Sequence, residues 1–291
     1  MSIHRAHKAT AADDGAAPAA AVGHVAEGSG SAGLSVRHLS KVYTEKRGNS
    51  VEAIHDVSLD VTPGDFVSIV GPSGCGKSTL LYILAGFLSA TSGEVLADGV
   101  PVTRPGPDRA IVFQDYSLFP WKTALGNVTY GLRETGMGRR ERELKGRELL
   151  ATVGLGGAEH RYPHQLSGGM KQRLAIARTL AVDPDYLLMD EPLGALDALT
   201  RAKMQDEVNR LWEATHTTVV LVTHSVEEAI FLSNRIYVMS PRPARVLDVI
   251  DVDFDRPRSR EAVLANPGYA SLHAHIWELL AHDDQPGLGP S

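Results

Sequence analysis

The stretch GPSGCGKST, residues 71–79, restricts the possible folds more than any other part of the sequence. It satisfies the pattern G-x-x-x-x-G-K-S/T, and it lies between the apolar run DFVSIV and the helical pattern TLLYILAGF. A glycine-rich loop between a strand and a helix can wrap its N–H groups around phosphate oxygens, while the helix presents the positive end of its dipole. The stretch therefore predicts an α/β fold with a phosphate-binding loop.

The residue types in this loop predict separate roles. The glycines let the backbone curve around phosphates, Lys77 is expected to reach the β and γ phosphates of a nucleotide, and Ser78 is expected to offer its hydroxyl to Mg²⁺. Cys75 is interpreted as a small space-filling residue rather than a catalytic thiol. The alternative is a plain glycine turn with a surface lysine. The predicted nucleotide-binding residues here are Gly71, Pro72, Ser73, Gly74, Cys75, Gly76, Lys77, Ser78 and Thr79.

Three further apolar runs indicate buried strands. They are RAIVF (109–113), DYLLMD (185–190) and TTVVLVTH (217–224), and such uninterrupted runs are typical of parallel strands covered on both faces. Residues 34–65 alternate more in polarity, which predicts an antiparallel layer. Residues 117–182 are helical and charged in pattern. The predicted fold class is α/β: a P-loop NTPase core with a mainly parallel sheet, an antiparallel β layer and an inserted helical subdomain.

The sequence divides into three predicted parts. Residues 34–245 form the main domain, with the helical subdomain at about 117–182, and residues 246–291 form a partly helical C-terminal extension. Residues 1–33 are rich in small residues and lack aromatic ones, which predicts a disordered tail. A start-site error or a short interaction arm would have the same composition.

Composition argues against several classes of protein. The chain has 291 residues, of which 29 are basic and 35 acidic, so its net charge of −6 offers no basic excess for binding nucleic acid. Its one cysteine excludes an intrachain disulfide and fits a reducing cytoplasm. No run approaches the roughly 18 consecutive apolar residues of a membrane helix, so the chain is not expected to span a membrane.

Two adjacent carboxylates end one of the apolar runs. Asp190 and Glu191 follow YLLM at the carboxyl end of a predicted parallel strand, where ligands gather in α/β folds. Asp190 is assigned to Mg²⁺, and Glu191 to orienting or deprotonating the attacking water. A second carboxylate beside the metal ligand indicates that the nucleotide is hydrolysed rather than only bound. The alternative for such a pair is a polar rim of the sheet.

Two more polar residues follow predicted strands. His224 comes directly after VVLVT and is expected at the same edge of the sheet, where it would position the γ-phosphate. Gln114 follows RAIVF and is expected to approach the metal or the water. The alternatives are a loop or core histidine and a turn glutamine. The predicted catalytic residues are Lys77, Gln114, Glu191 and His224, and the predicted metal ligands are Ser78, Gln114 and Asp190.

These stretches occur in one order with LSGGM (166–170), GALD (194–197) and VTHS (222–225). The set resembles the nucleotide-binding subunit of ABC transporters over about residues 34–245. The resemblance implies the ABC ATPase fold, with ATP and Mg²⁺ as cofactors. It also implies a head-to-tail homodimer, in which each ATP lies between the phosphate loop of one subunit and the LSGG stretch of the other.

The resemblance assigns further residues to the nucleotide and the dimer. It implies that Ser167, Gly168 and Gly169 contact the γ-phosphate held by the other subunit. It places Asp197 at the seam between the subunits. Tyr43 matches the aromatic position that stacks on adenine, although an exposed strand tyrosine is the alternative.

Other stretches resemble a narrower branch, the import ATPases for nitrate, sulfonates, taurine and related small anions. They are LFPWKTALGNVTYGL (118–132), EPLGALDALTR (191–201) and VMSPRPARV (238–246). The resemblance implies a peripheral protein on the cytoplasmic face of the bacterial plasma membrane. Its partners would be two permease subunits and, indirectly, an extracytoplasmic solute-binding protein, with no nucleic acid. Phe119, Pro120 and Trp121 are candidates for the permease contact, and a core tryptophan after a proline turn is the alternative.

Two positions depart from the family's usual residues, and other functions stay open. Met170 replaces the usual Gln that ends the signature, and Gly194 replaces the usual Ser at the start of the seam sequence. A standalone ABC ATPase for export or lipoprotein release would share every hydrolytic motif. A non-transport ABC ATPase would have tandem cassettes or a cassette split by a long coiled coil, whereas this sequence has one cassette and no sustained heptads. A P-loop kinase or GTPase would leave LSGGM unexplained.

Overall fold

The computed structural model describes residues 33–44 and 49–282. The predicted N-terminal tail lies outside the described residues except for Gly33, and so do the last nine residues, 283–291, of the predicted extension. Within the described ranges, none of the helices combines the length and the apolar character needed to cross a membrane.

The strands form two sheets of different kinds. In chain order they are β1 (Leu34–Thr44), β2 (Ser50–Val61), β3 (Phe66–Val70), β4 (Ser92–Ala97), β5 (Val100–Pro101), β6 (Arg109–Val112), β7 (Tyr186–Asp190), β8 (Thr218–Thr223), β9 (Arg235–Met239) and β10 (Val246–Asp251). One sheet has the order β10-β9-β3-β8-β7-β6, and in it β10 is antiparallel to β9 while the other pairs are parallel. The other sheet is antiparallel, with the order β2-β1-β4-β5.

This arrangement confirms the predicted fold class. β3, β7 and β8 are buried along their whole length, as the uninterrupted apolar runs predict for strands covered on both faces. The antiparallel sheet shares an apolar core with the parallel one, since Leu34 and Ile54 pack in the same cluster as Ile69. Burial of each such side chain stabilises the fold by about 1.5–3 kcal/mol.

Helices cover the sheets and form the insertion. In chain order they are α1 (Lys77–Leu84), α2 (Ala124–Val128), α3 (Arg139–Thr152), α4 (Gly168–Leu180), α5 (Ala198–Thr215), α6 (Val226–Leu232), α7 (Arg260–Ala265) and α8 (Pro267–His282). The insertion between β6 and β7 contains α2, α3 and α4, as predicted. α3 buries Gly146 and Leu150 and leaves its charged residues outside the core, which agrees with a solvated amphipathic helix.

The segment after residue 245 is tied to the rest of the chain. β10 pairs with β9, so the predicted boundary at residue 245 falls between two paired strands, and the domain boundaries stay predictions. Arg258 lies further on, and its buried guanidinium donates hydrogen bonds to the backbone carbonyls of Ile230, Phe231, Ser233, Val252 and Phe254. Burial lowers the pKa of Arg258 to about 10. The bonds satisfy carbonyls at the end of α6, where a helix leaves acceptors without partners.

Parallel pairing brings the ends of three strands to one edge of the sheet. Val70 pairs with Thr223, and Asp190 pairs with Val222. The segments that follow β3, β7 and β8 therefore lie side by side, at the carboxyl ends where α/β folds bind ligands. This edge holds the phosphate loop, the two adjacent carboxylates and His224.

Candidate active site

The phosphate loop, residues 71–79, connects β3 to α1. At Gly76 the backbone φ is 133°, and a Cβ atom there would lie 2.7 Å from the carbonyl oxygen of Ala53. At Gly74 φ is 75°, a conformation that strains any L side chain although the space around it is open. The turn from strand to helix therefore depends on glycine at these two positions.

Lys77 lies inside the curve of this loop. Its Nζ atom donates hydrogen bonds to the carbonyls of Gly71 (2.8 Å) and Pro72 (2.9 Å), and the side chain is almost fully buried. The same Nζ atom is 3.8 Å from Oε1 of Glu191. An anion entering the loop would meet this ammonium group together with the positive end of the α1 dipole.

Ser78 and Asp190 lie together, as predicted metal ligands should. The Ser78 hydroxyl donates a 2.8 Å hydrogen bond to Oδ1 of Asp190, and this bond connects α1 with the end of β7. Both groups are oxygen donors, which Mg²⁺ prefers, and protein sites for nucleotide-bound Mg²⁺ usually supply one or two such ligands. The residues therefore fit Mg²⁺. Burial and the neighbouring Asp190 raise the pKa of Tyr82, which lies one turn after Ser78, to about 12.

Glu191 connects the phosphate loop with the segment after β8. Its Oε2 atom is 3.0 Å from Nδ1 of His224, while its Oε1 atom faces Lys77. Its backbone φ is 42°, a left-handed conformation that costs about 1–2 kcal/mol for a residue with a side chain. The Glu191 N–H donates to the carbonyl of Val222 at 2.9 Å, which holds this turn. The structure thus brings Lys77, Glu191 and His224 together.

The roles predicted for Gln114 and Tyr43 stay predictions. Gln114 is exposed in the turn after β6, and among the described residues no hydrogen bond joins its side chain to Ser78 or Asp190. Tyr43 is exposed near the end of β1, and its hydroxyl is 3.3 Å from the Thr79 hydroxyl. The Tyr43 ring is therefore beside the end of the phosphate loop, where a base could reach it.

The signature residues 167–169 begin α4. Ser167 caps this helix by accepting a hydrogen bond from the Met170 N–H at 3.4 Å, and both Ser167 and Gly168 are exposed. Gly169 is buried, and a Cβ atom there would lie 3.0 Å from a methyl carbon of Thr200. Across the described ranges, no hydrogen bond joins these residues to the phosphate loop of the same chain. The N-terminal end of α4 is thus exposed at Ser167 and Gly168.

Asp197 caps the next long helix. It accepts a 3.0 Å hydrogen bond from the Thr200 N–H at the start of α5. That bond lowers the pKa of the exposed Asp197 carboxyl below its ordinary value. Its predicted place at a dimer seam stays a prediction.

Cys75 is buried within the loop, and its burial raises the pKa of the thiol. A neutral thiol packed against the loop agrees with its interpretation as a space-filling residue. One contact near the loop was not predicted from the sequence. Arg242, in the loop between β9 and β10, donates a 3.1 Å hydrogen bond to the carbonyl of Gly74.

An aromatic patch, formed by Phe119, Trp121 and Tyr130, lies at the start of the helical insertion. Trp121 is 71% exposed, so the alternative of a core tryptophan is wrong. The Phe119 ring centroid is 5.7 Å from that of Trp121 and 4.6 Å from that of Tyr130. The buried Asn127 amide fixes the segment beneath it, because Oδ1 accepts from the Phe119 N–H at 2.8 Å and Nδ2 donates to carbonyls of the same turn.

The fold and the edge of its sheet define a P-loop ATPase. An ABC transporter family model matches residues 54–194. The chain is 46% identical over 253 residues to the nitrate import ATP-binding protein NrtD of Synechococcus elongatus, covering 84% of this chain and 92% of the relative. It is 46% identical over 251 residues to the taurine import ATP-binding protein TauB of Rhizobium johnstonii, covering 85% of this chain and 96% of the relative.

A solved structure agrees with these relatives. It is the dimeric post-hydrolysis state of the ATP-binding cassette MJ0796 bound to ADP and Pi, which has a TM-score of 0.68 and 33% identity, covering 76% of this chain and 100% of that one. The chain belongs to the family of ABC transporter ATP-binding proteins. It is accordingly an ATP-binding subunit, an ATPase coupled to transport.

Proposed function

We propose that this chain is the ATP-hydrolysing subunit of an ABC importer for a small anion such as nitrate, an aliphatic sulfonate or taurine. Its ATPase activity would energise uptake through separate permease subunits. The names of the relatives NrtD and TauB support import and this class of substrate. The observation that carries the hydrolytic role is the Glu191 carboxylate, held between the Lys77 ammonium group and the His224 ring.

The phosphate loop and its neighbours would bind the nucleotide. Backbone N–H groups of residues 71–79 and the Lys77 ammonium group would hold the phosphates, and Tyr43 would stack on the base. Ser78 and Asp190 would hold Mg²⁺, with Gln114 as a further ligand. When bound, Mg²⁺ neutralises charge that develops on the phosphate oxygens.

Glu191 and His224 would carry the chemical step. Glu191 would orient a water molecule for attack on the γ-phosphate and accept its proton, because its carboxylate lies at the end of the loop beside Lys77. His224 would hold that carboxylate through its Nδ1 contact and present the opposite edge of the ring to the γ-phosphate. Lys77 would leave its contacts with the Gly71 and Pro72 carbonyls to bind phosphate oxygens.

The working unit would be a homodimer. The exposed start of α4 offers N–H groups and the Ser167 hydroxyl, and no hydrogen bond ties it to this chain's own phosphate loop within the described residues. A second copy placed head to tail would bring that helix end to the γ-phosphate of the first. The dimeric form of the related cassette MJ0796 supports this arrangement.

The aromatic patch would be the permease contact. Trp121 is exposed, and the Asn127 hydrogen bonds hold the turn that carries it, so little ordering is needed when a partner binds. Exposed aromatic residues on a rigid turn are typical of interface anchors. The chain would then lie on the cytoplasmic face of the membrane, and closing and reopening of the dimer would move the permease subunits.

The permease contact can be tested by copurification. We expect a permease and a solute-binding protein to be encoded next to this chain, and the Trp121→Ser variant to copurify with that permease at least about tenfold less than the parent protein. The ATPase activity of the isolated subunit should not change. Trp277→Ser, at an exposed tryptophan of α8, is the matched control and should copurify normally.

Two outcomes would contradict the proposal in different ways. Copurification of Trp121→Ser at the parent level would remove the aromatic patch from the interface. The absence of a neighbouring permease and binding protein would instead favour the standalone export or lipoprotein-release ATPase. If a binding protein is present, its ligand names the transported substrate.

A further inference from the structure

A small cavity lies behind the Glu191–His224 pair. It is lined by Glu191, Gly194, Arg201, Thr223, His224 and Glu228, among others, and it has room for about one water molecule. These residues come from three segments: the turn after β7, the start of α5 and the end of β8 with α6. The cavity is thus a point at which the hydrolytic site meets the beginning of two helices.

Glu228 is a buried acidic residue in the wall of this cavity. It is 3% exposed, its Oε2 atom accepts a hydrogen bond from the Thr223 hydroxyl, and its Oε1 atom is buried with no hydrogen-bond partner among the described residues. A buried oxygen without a hydrogen-bond donor destabilises the fold, so a donor placed in this cavity would be favoured. Burial raises the pKa of the Glu228 carboxyl, against the opposing effects of the Thr223 hydrogen bond, the nearby charges of Arg201 and His224, and a contact with the Gln205 side chain.

Glu228 is also fixed to the segment that carries His224. Its backbone N–H donates to the Ser225 hydroxyl at 3.2 Å, and the Ser225 N–H donates to the Thr223 hydroxyl at 3.0 Å. Thr223 bonds the Glu228 carboxyl in turn. A shift of His224 would therefore displace this hydrogen-bonded turn and the carboxyl with it.

Arg201 faces the same cavity from α5. Its guanidinium donates to the carbonyls of Leu193 (3.3 Å), Gly194 (3.4 Å) and Leu196 (2.9 Å). These residues belong to the seam segment, defined here as residues 193–197, which ends at the helix cap Asp197. Arg201 therefore holds the backbone that runs from the hydrolytic carboxylates towards the proposed dimer seam.

We propose that Glu228 and Arg201 are positioning residues for hydrolysis, which hold the His224 turn and the seam segment together through a water molecule bound in this cavity. The water would donate to Glu228 Oε1 and accept from Arg201, which satisfies the unpaired oxygen. The proposal rests on the proposed dimeric function. Contact of His224 with nucleotide in one site would then set the position of the seam segment that faces the other subunit.

The first test is Glu228→Gln, which keeps the volume of the side chain and replaces the carboxyl group with an amide. We expect kcat for ATP to fall at least about tenfold while KM stays within about twofold, because the phosphate loop is untouched. The Hill coefficient for ATP should also fall towards one. Glu227→Gln, at the adjacent exposed glutamate of α6, is the matched control and should keep the parent kinetics.

The second test is a double-mutant cycle. Arg201→Lys keeps the charge but loses the planar fork that reaches the seam carbonyls, so it should lower kcat in the same way. If the two residues act as one unit, the double variant loses no more activity than the more impaired single variant. Multiplicative losses, or parent kcat in both single variants, would overturn the proposal.

Failure of this inference is distinguishable from failure of the proposed function. Glu191→Gln should still give an ATP-bound dimer even if Glu228→Gln is fully active, and that result would reject only the positioning role. Loss of ATP-dependent dimerisation in Glu191→Gln would reject the dimeric function itself. Arg201→Lys provides the same readouts if Glu228→Gln does not fold.

Discussion

Oε2 of Glu191 lies 3.0 Å from Nδ1 of His224, although the two residues follow different strands and are separated by 32 residues of chain. The pair exists because β7 and β8 are parallel neighbours whose carboxyl ends share one edge. With Lys77 on its other oxygen, the Glu191 carboxylate contacts both the phosphate loop and the turn after β8.

Glu191→Gln should abolish turnover without abolishing nucleotide binding. The amide keeps the shape of the side chain but cannot accept a proton, so we expect kcat to fall at least about a hundredfold. ATP should then hold the variant as a dimer, visible by size-exclusion chromatography with ATP and Mg²⁺. A purified variant that hydrolyses ATP at the parent rate would remove Glu191 from the catalytic role.

His224→Ala should slow hydrolysis by releasing Glu191. We expect kcat to fall at least about tenfold with a smaller change in KM, measured by phosphate release. The control is His38→Ala, since His38 is an exposed residue of β1 that pairs with Asp56. Equal effects of the two substitutions would mean that the Glu191–His224 contact does not serve hydrolysis.

Gly76→Ala should damage ATP binding through the backbone. The new methyl group would lie 2.7 Å from the Ala53 carbonyl at a φ of 133°, so the loop must open, and we expect ATP affinity to fall at least about tenfold. Fluorescent-nucleotide titration measures this. Gly157→Ala is the matched control, because φ there is 84° and no atom lies within 4 Å of the added carbon. Unchanged affinity in Gly76→Ala would contradict the proposed geometry of binding.

Ser167→Ala should impair dimerisation and turnover together, because the serine is expected to contact the nucleotide of the other subunit. We expect at least about a tenfold loss in ATP-dependent dimerisation, measured in a Glu191→Gln background. Ser259→Ala controls for the loss of a helix cap, since Ser259 caps α7 in the same way. If Ser167→Ala left both dimerisation and turnover intact, the signature would have no part in a shared site.

Arg258→Met should destabilise the fold without touching the site. It leaves the carbonyls at the end of α6 without a donor inside the protein, and we expect the free energy of unfolding to fall by about 2–4 kcal/mol. Urea denaturation provides the measurement. Arg210→Met, at an exposed arginine of α5, should change stability far less. Similar losses in both variants would argue against a structural role for the buried guanidinium.

The apolar runs of the sequence predicted four strands of the six-stranded sheet: β3, β6, β7 and β8. β3 and β7 are covered on both faces, so an unbroken apolar run identifies each of them. β9 and β10 were not predicted as strands. β10 lies at the edge of its sheet and is nowhere fully buried, so its residues carry little hydrophobic signal. Such a strand forms through its backbone hydrogen bonds with a neighbouring strand, and the local hydrophobic pattern does not predict that pairing.

The site likewise contains residues that a local pattern predicts and residues that only the packing of separate segments brings together. The phosphate loop is contiguous, so its spacing predicts both the turn and the position of Lys77. Arg242 and Glu228 carry no such signal, because one reaches Gly74 from a loop between distant strands and the other is an ordinary helical glutamate in sequence. Their contacts depend on how separate segments pack. Burial at position 228 becomes visible only when α6 is placed against the sheet.

The hydrogen bonds of Arg258 show that the segment carrying the ATPase motifs is supported by a residue that lies after it in the chain. Every hydrolytic motif lies before residue 226, yet the carbonyls at the end of α6 find their donor in Arg258, 25 to 28 residues further along the chain. A shortened chain that keeps all of those motifs would therefore lack a support of the helix that follows His224. We therefore expect the smallest stably folded unit to extend past the last hydrolytic motif to at least Arg258.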